Sequence, residues 1–276
     1  MQQKKIFFLL ILFMGITACD LKNEGLNLNF DDHPMEVGTF WKYNQQVLVK
    51  TYEDENSNTI THVDTFRYDM LIWIDKDTIL NDTMNVKAFH TRVDDKTINS
   101  IQYKFLDHEG LKTYAFANPG YNLYKKAKEP IPLMDIFSFH PRGIKLNCLQ
   151  GDIYIEENPP LDIQYPLVQY GTWVYRHPRE NYPLQINKKV IGAENLKING
   201  EFYSCFKIRW EYLNDTLFDG IKITDWVGKQ GLIKSEIIQE RITVTTLEGE
   251  PLNGKNIQIF SVLSLDLHGT MEDLNQ

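Results

Sequence analysis

The stretch FRYDMLIWI, residues 66–74, places Phe, Tyr, Met, Ile and Ile at every second position. Alternate side chains of a β-strand point to opposite faces of a sheet, so one face of this segment is continuously apolar. The same alternation occurs over residues 206–212 and again over residues 257–267, where it ends with Leu265 and Leu267. These segments predict half-buried antiparallel strands and an all-β chain with little helix.

Short polar segments rich in Gly and Asn mark the predicted turns between these strands. They are DENSN at residues 54–58, NGE at 199–201 and EGEPLNGKN at 248–256. Helical periodicity is confined to PLMDIFSF at residues 132–139, which predicts at most a short turn of helix.

A spaced motif occurs in both halves of the chain: a proline precedes a Trp-x-Tyr pair by seven residues. The first copy has Pro34, Trp41 and Tyr43, and the second has Pro166, Trp173 and Tyr175. Two further landmarks follow in the same order, each a turn and then an apolar segment. The pattern predicts two related β modules produced by tandem duplication, built from curved sheets as a half-barrel or a sandwich. Chance similarity between two β-rich segments remains the alternative.

Proline is concentrated between the two copies, and nine of the eleven prolines lie between Pro119 and Pro183. Because proline cannot donate to a β ladder, this region is predicted to be linker, edge and turn. We therefore expect a first module at residues 33–119, a Pro-rich linker at 120–160 and a second module at 161–276.

The amino terminus has the organisation of a secretory signal peptide. Lys4 and Lys5 precede nine apolar residues at 6–14, a run too short to span a bilayer as a helix. The sequence Ile-Thr-Ala-Cys at residues 16–19 follows, and residues 20–32 are polar and Asn-rich. We predict a cleaved signal peptide at residues 1–18 and a flexible tether at residues 19–32.

The segment Ile-Thr-Ala-Cys resembles the lipobox of bacterial lipoproteins. The resemblance implies that Cys19 is the first mature residue, that its sulfur carries a diacylglycerol and that the membrane is a partner through this anchor. Two or three acyl chains hold a protein durably on a bilayer, whereas one holds it only marginally. The composition, rich in Asn, Lys and Ile, is similar to that of Bacteroidota lipoproteins. This favours the outer membrane over the inner one and leaves the periplasmic or surface side open.

The net charge of −8 becomes more negative by two when the signal peptide and its lysines are removed. An acidic chain argues against nucleic acid or anionic lipid as the principal partner. Once Cys19 is assigned to lipid, Cys148 and Cys205 can form a single disulfide in an oxidising envelope. Alternatively, Cys205 is a thiol. It shares a predicted strand face with Lys207 and Arg209, whose charges can lower a thiol pKa, but a disulfide or an inert thiol is the commoner outcome.

No residue pattern indicates catalysis, a metal site or a cofactor. The seven histidines lack zinc-ligand spacing, and neither a serine elbow nor a Cys-His pair of suitable spacing is present. The aromatic pairs have two interpretations, a platform for a sugar or an apolar ligand, or a sheet core. Their recurrence at equivalent positions favours the core. They are Trp41, Tyr43, Trp173 and Tyr175.

The repeated motif, together with NGEFYSCFKI and DWVGKQGLIK, resembles β-rich envelope lipoproteins of the Bacteroidota type. That resemblance implies a scaffold and no reaction. We expect a non-enzymatic, lipid-anchored protein that binds an envelope protein or assembles at the membrane. Its curved sheet is also similar to the half-barrels of lipoprotein carriers, so a carrier of an acyl chain or another apolar ligand is the alternative. A hydrolase with a site built from loops is the third hypothesis.

Overall fold

The computed structural model describes residues 28, 30–54, 57–94, 100–117, 153–178, 185–213, 220–245 and 251–275. Their regular structure is β-strand apart from one short 3-10 helix, Asp273–Asn275. The strands are β1 (Thr39–Tyr52), β2 (Ile60–Leu80), β3 (Met84–Val93), β4 (Ser100–Leu106), β5 (Gly110–Ala117), β6 (Ile153–Ile155), β7 (Leu161–Gln164), β8 (Thr172–Arg176), β9 (Gln185–Ile198), β10 (Glu201–Leu213), β11 (Ile221–Gly228), β12 (Gly231–Thr245) and β13 (Pro251–Thr270).

All thirteen strands belong to one antiparallel sheet that is not closed. Its order is β6-β5-β4-β3-β2-β1-β13-β12-β11-β10-β9-β8, and β7 pairs with β5 outside this path. The all-β prediction is confirmed. Among the described residues no helix has the length and apolar character needed to cross a bilayer.

The first and last strands pair with each other at the centre of the sheet. Thr39 lies opposite Thr270 and Thr51 opposite Ile257, so the β1–β13 ladder runs along nearly the whole of β1. The strands of the two predicted modules therefore continue into one sheet. The tandem duplication stays a prediction. Residues 118–152, most of the predicted linker, lie outside the described residues, and β6 follows directly after them.

The predicted alternation is confirmed most clearly in β10. Phe206, Ile208 and Trp210 are buried, whereas Lys207 is half-buried and Arg209 is exposed. The opposite face of β10 also enters the core through Cys205, which is fully buried. Both faces of this strand are therefore covered, and β10 lies between two parts of the core.

The prediction that Leu267 continues the apolar face of β13 is wrong. Lys42 pairs with Leu267 and Tyr43 pairs with Leu265, so the residue between them in β13, Asp266, has no opposite partner. An extra residue of this kind is a β-bulge, and it shifts the alternation by one position. Leu267 consequently points to the other face and is 48% exposed, whereas Leu265 is buried.

The turn predicted at residues 199–201 is confirmed. Ile198 pairs with Glu201, and Asn199 and Gly200 between them have φ angles of 50° and 93°. Two positive φ angles define the tight hairpin turn that favours Asn-Gly. The prediction for residues 248–256 is wrong in its second half, because β13 already begins at Pro251. Proline is tolerated as the first residue of a strand.

Two hydrophobic clusters account for most of the core. One includes Leu111, Ile163 and Phe206, and partly buried Leu28 and Phe30 pack against it. The other joins Trp41 and Tyr43 of β1 to Cys205, Trp226 and Leu265. Because each cluster contains residues from both halves of the chain, the halves are held together by core packing as well as by the β1–β13 ladder.

Candidate functional site

The chain between Cys19 and the folded body enters the described structure at Leu28, while Cys19 itself lies outside the described residues. Phe30 forms an antiparallel bridge with Leu167, and the Leu167 N–H donates to the Phe30 carbonyl at 3.1 Å. The Phe30 ring also meets Phe206 edge-on, with ring centroids 5.5 Å apart. Contact with the body thus begins within the segment predicted to be tether.

His33 fastens this amino-terminal segment to the interior. Its Nδ1 atom lies 3.1 Å from the hydroxyl of Tyr165, and its ring stacks on Trp41 at 6.0 Å. Gly231 leaves room for the ring, since a Cβ there would lie 2.9 Å from His33 Cε1. Burial, with a further contribution from the Lys104 charge, lowers the pKa of His33 to about 3. The imidazole is therefore neutral at physiological pH.

The loop that follows Leu167 ends in a tight turn at residues 168–171. The Gly171 N–H donates to the Val168 carbonyl at 3.0 Å, and Tyr170 has a φ of 64°. This places Tyr170 at the third position of a β-turn with positive φ, where Gly or Asn is favoured. Val168 is 53% exposed and Tyr170 is 69% exposed. Sequence reasoning missed this feature because Gly171 is the only turn residue in it.

The four aromatic residues singled out from the sequence, Trp41, Tyr43, Trp173 and Tyr175, are all buried. Tyr43 donates its hydroxyl hydrogen to the Leu232 carbonyl at 2.9 Å, and Trp173 Nε1 donates to the Leu161 carbonyl at 2.9 Å. These contacts satisfy polar atoms inside the protein, as large aromatics in a core require. The geometry is that of a sheet core and offers no exposed platform.

A cluster of four polar residues, which we call the polar cluster, lies between strands of the two halves, and all of them are buried except the half-buried Lys104. Its members are Lys104, Thr113, Asp162 and Lys188. Lys104 Nζ and Thr113 Oγ1 both donate to Asp162 Oδ2, at 2.5 Å and 2.6 Å, and Lys188 Nζ donates to the Asp162 carbonyl at 2.8 Å. Carboxylate and ammonium groups are thus paired where they leave water, as buried charges must be.

A second buried ion pair lies close to the polar cluster in sequence. Arg176 Nη2 donates to Glu156 Oε1 at 3.1 Å, and both side chains are buried. Arg176 is in β8, at one end of the sheet order, and Glu156 directly follows β6, at the other end. Trp173 of β8 and Lys188 of β9 also donate to carbonyls of β7, which pairs with β5 near β6. The two ends are therefore connected by side chains and not by a ladder.

Cys205 is held as an unreactive thiol. Burial is the main cause that raises its pKa to about 12, and the Glu194 charge adds to the shift. Lys207 and Arg209 do not lower this pKa, because the thiol is buried in the core, and the inert thiol is the alternative that its burial favours. Its predicted disulfide partner, Cys148, lies outside the described residues, so that pairing stays a prediction.

Within the described ranges, no three His, Cys, Asp or Glu side chains come together in a way that could hold a metal ion. The paired charges and the neutral His33 are among the polar groups that the geometry brings together. They form structural contacts between elements.

No protein-family model matches the chain, and no curated protein matches it. Among solved structures, it is similar to a putative lipoprotein from Parabacteroides distasonis. That similarity covers 88% of this chain and 100% of the other, with 11% sequence identity and a TM-score of 0.31. A likeness at this level assigns no family and no activity.

Proposed function

We propose that this protein is a lipoprotein of the bacterial envelope, attached to a membrane through acyl chains on Cys19, and that its folded body works by binding or assembly and not by catalysis. The observation that carries the proposal is the lipobox-like Ile-Thr-Ala-Cys at residues 16–19, directly after a charged start and a short apolar run. The outer membrane is the proposed membrane. An envelope protein or an apolar ligand is the proposed partner of the body.

The short connection between Cys19 and the body supports an anchor that holds the body near the bilayer. Leu28 is nine residues after Cys19, and a chain spans at most about 3.6 Å per residue, so this connection is at most about 32 Å long. Phe30 and His33 then fix the chain to the body through the Leu167 bridge and the Tyr165 contact. Acyl chains on Cys19 would therefore restrict the body to a thin layer above the membrane.

Two potentially reactive side chains of the described residues, His33 and Cys205, are in states that support a role without catalysis. A general base or nucleophile needs a pKa near the working pH and access to substrate. His33 instead has a pKa of about 3, and Cys205 has one of about 12, because both are buried. Lys104 and Asp162 neutralise each other at 2.5 Å.

Metabolic labelling with an alkyne-tagged fatty acid in a bacterial host tests the anchor. The wild-type chain should take up the label, and Cys19→Ala should lose it. Cys205→Ala is the matched control and should keep full labelling, because its thiol is buried. Labelling that persists in Cys19→Ala, or is absent from the wild type, would refute the proposal.

Organic extraction of the same purified protein separates the binding scaffold from the carrier. A scaffold should release no fatty chain into the extract, because the chains on Cys19 are covalent and stay with the protein. A stoichiometric, non-covalent lipid in the extract would instead favour a carrier that holds an apolar ligand.

A further inference from the structure

The turn at residues 168–171 carries two exposed apolar side chains close together. Val168 is 53% exposed and Tyr170 is 69% exposed, while the aromatic residues of the neighbouring strand, Trp173 and Tyr175, are buried. Val168 and Tyr170 are separated by one residue, so both lie on the same short projection of the surface.

The backbone conformation at position 170 of this turn is unfavourable for tyrosine. Tyr170 has a φ of 64°, and the bond from Gly171 N–H to the Val168 carbonyl puts it at the position of a β-turn that favours Gly or Asn. Nothing described in the fold requires tyrosine there, because its side chain is largely exposed. A contact made by the phenol ring outside the chain would account for both features.

The turn lies beside the point where the chain from Cys19 reaches the body. Phe30 pairs antiparallel with Leu167, the residue directly before the turn, and Leu28 packs against the cluster that contains Leu167. Leu28 is two residues before Phe30, so this first described residue lies within about 7 Å of the residue that pairs with Leu167. Leu28 is nine residues after Cys19, which limits their distance to about 32 Å.

We propose that the 168–171 turn inserts Val168 and Tyr170 into the interfacial layer of the bilayer that holds the Cys19 anchor. This inference rests on the proposed lipidation. Tyrosine suits that layer because its ring is apolar and its hydroxyl is polar, and aromatic residues are enriched at membrane interfaces. Such a contact would orient the body on the membrane.

The charge around the turn determines which lipid surface fits. Asp31 and Asp32 are exposed beside the tether, and the whole chain has a net charge of −8. These charges disfavour an anionic surface. The contact is therefore apolar and made with zwitterionic lipid, and it should change little with salt concentration.

A fluorescent label in the turn tests the contact directly. The protein is prepared in its acylated form with Cys148→Ser, and Val168→Cys adds one new thiol in the turn. This thiol is labelled with an environment-sensitive dye. The labelled protein is then reconstituted into phosphatidylcholine vesicles. Phe202→Cys is the matched control, since Phe202 is 72% exposed at the β9–β10 turn. Gly171 contacts Val190 and Phe202 pairs with Lys197. The β9 residues next to the two turns, Val190 and Lys197, are seven residues or about 23 Å apart.

The dye at position 168 should shift to the blue and be quenched several-fold by lipids bearing interfacial nitroxides, and the dye at 202 should stay aqueous. Adding Tyr170→Asn should remove most of the quenching at 168, and this variant should fold because Asn tolerates positive φ.

Equal, aqueous spectra at 168 and 202 would overturn the inference. A blue shift at 168 without vesicles would also overturn it, since a second copy of the chain would then cover the turn. Mass measurement of Cys19 in the same sample separates the two claims. If acyl chains are present and position 168 is aqueous, only the turn contact fails. If acyl chains are missing, the proposed function fails and this inference fails with it.

Discussion

His33 Nδ1 and the Tyr165 hydroxyl lie 3.1 Å apart and join the chain that comes from Cys19 to the loop before β8. Trp41 stacks on the other side of the imidazole. The pair is buried, so the amino-terminal segment is part of the folded body from His33 onward. If Cys19 carries the proposed membrane anchor, a pull on it would be transmitted to the core close to the 168–171 turn.

We expect His33 to make the protein less stable in acid. The pKa of His33 is lowered from 6.5 to about 3 by burial, so between these values the unfolded chain binds a proton that the folded chain does not. The contribution of His33 to the free energy of unfolding is complete above pH 6.5. It is lost as the pH falls toward 3, at up to about 1.4 kcal/mol per pH unit. Urea unfolding at pH 7 and pH 5 measures the loss.

Burial also lowers the pKa values of His90 and His268, so these residues add to the loss of stability in acid. The variant His33→Gln keeps both of them and therefore isolates the part due to His33. The wild type should lose about 2 kcal/mol more than His33→Gln between pH 7 and pH 5. Identical losses in the two proteins would show that His33 is not held neutral in the folded state.

Breaking the buried Lys104–Asp162 pair should destabilise the protein strongly. Asp162→Asn removes the negative charge that Lys104 Nζ contacts at 2.5 Å, and the loss of one partner of a largely buried ion pair should cost about 3–5 kcal/mol. Chemical denaturation of the purified variant measures this difference. The exposed pair Lys222–Glu240 provides the control, and Glu240→Gln should change the free energy of unfolding by less than about 1 kcal/mol. Similar effects of the two substitutions would contradict the burial of the pair.

Cys205 should resist thiol reagents while the protein is folded. Its pKa is raised to about 12 by burial, so the reactive thiolate is scarce at pH 8. With Cys148→Ser and acylated Cys19, Cys205 is the remaining thiol. Labelling by an aromatic disulfide should be slow in buffer and fast in urea. Labelling of the native protein at the rate of a free cysteine would disprove the buried position.

Replacing Tyr170 by Asn should stabilise the isolated protein. Asn adopts a positive φ at a lower cost than tyrosine, so we expect a gain of about 0.5 kcal/mol in the free energy of unfolding. Thermal unfolding in detergent measures this gain. The same substitution should weaken the membrane contact of the turn, so stability and attachment should change in opposite directions. A loss of stability would show that the phenol ring supports the fold itself.

Local patterns in the sequence predict the strands well where the ladder is regular. In β10 the alternation of Phe206, Lys207 and Ile208 matches the two faces that the structure shows. Leu267 escaped prediction because the bulge at Asp266 depends on the partner strand, β1, which lies more than two hundred residues away in sequence. The β1–β13 pairing could not be inferred for the same reason.

The polar cluster had one sequence signal that could have revealed it. Lys188 occupies the same strand face as Ile186 and Val190, and a charged residue on a buried face implies a partner in the interior. Its neighbours could not be predicted, because Lys104 and Asp162 are 58 residues apart and belong to different strands. Tyr170 was equally hidden, since its positive φ follows from the turn and not from the residue type.

Mass spectrometry of the amino-terminal peptide, prepared from native membranes, tests the central claim most directly. We predict that the mature chain begins at Cys19 and carries the mass of a diacylglycerol, commonly with one further acyl group on the new amino terminus. A mature chain that begins at another residue, or a Cys19 peptide without acyl mass, would contradict the proposed anchor and with it the membrane contact of the 168–171 turn.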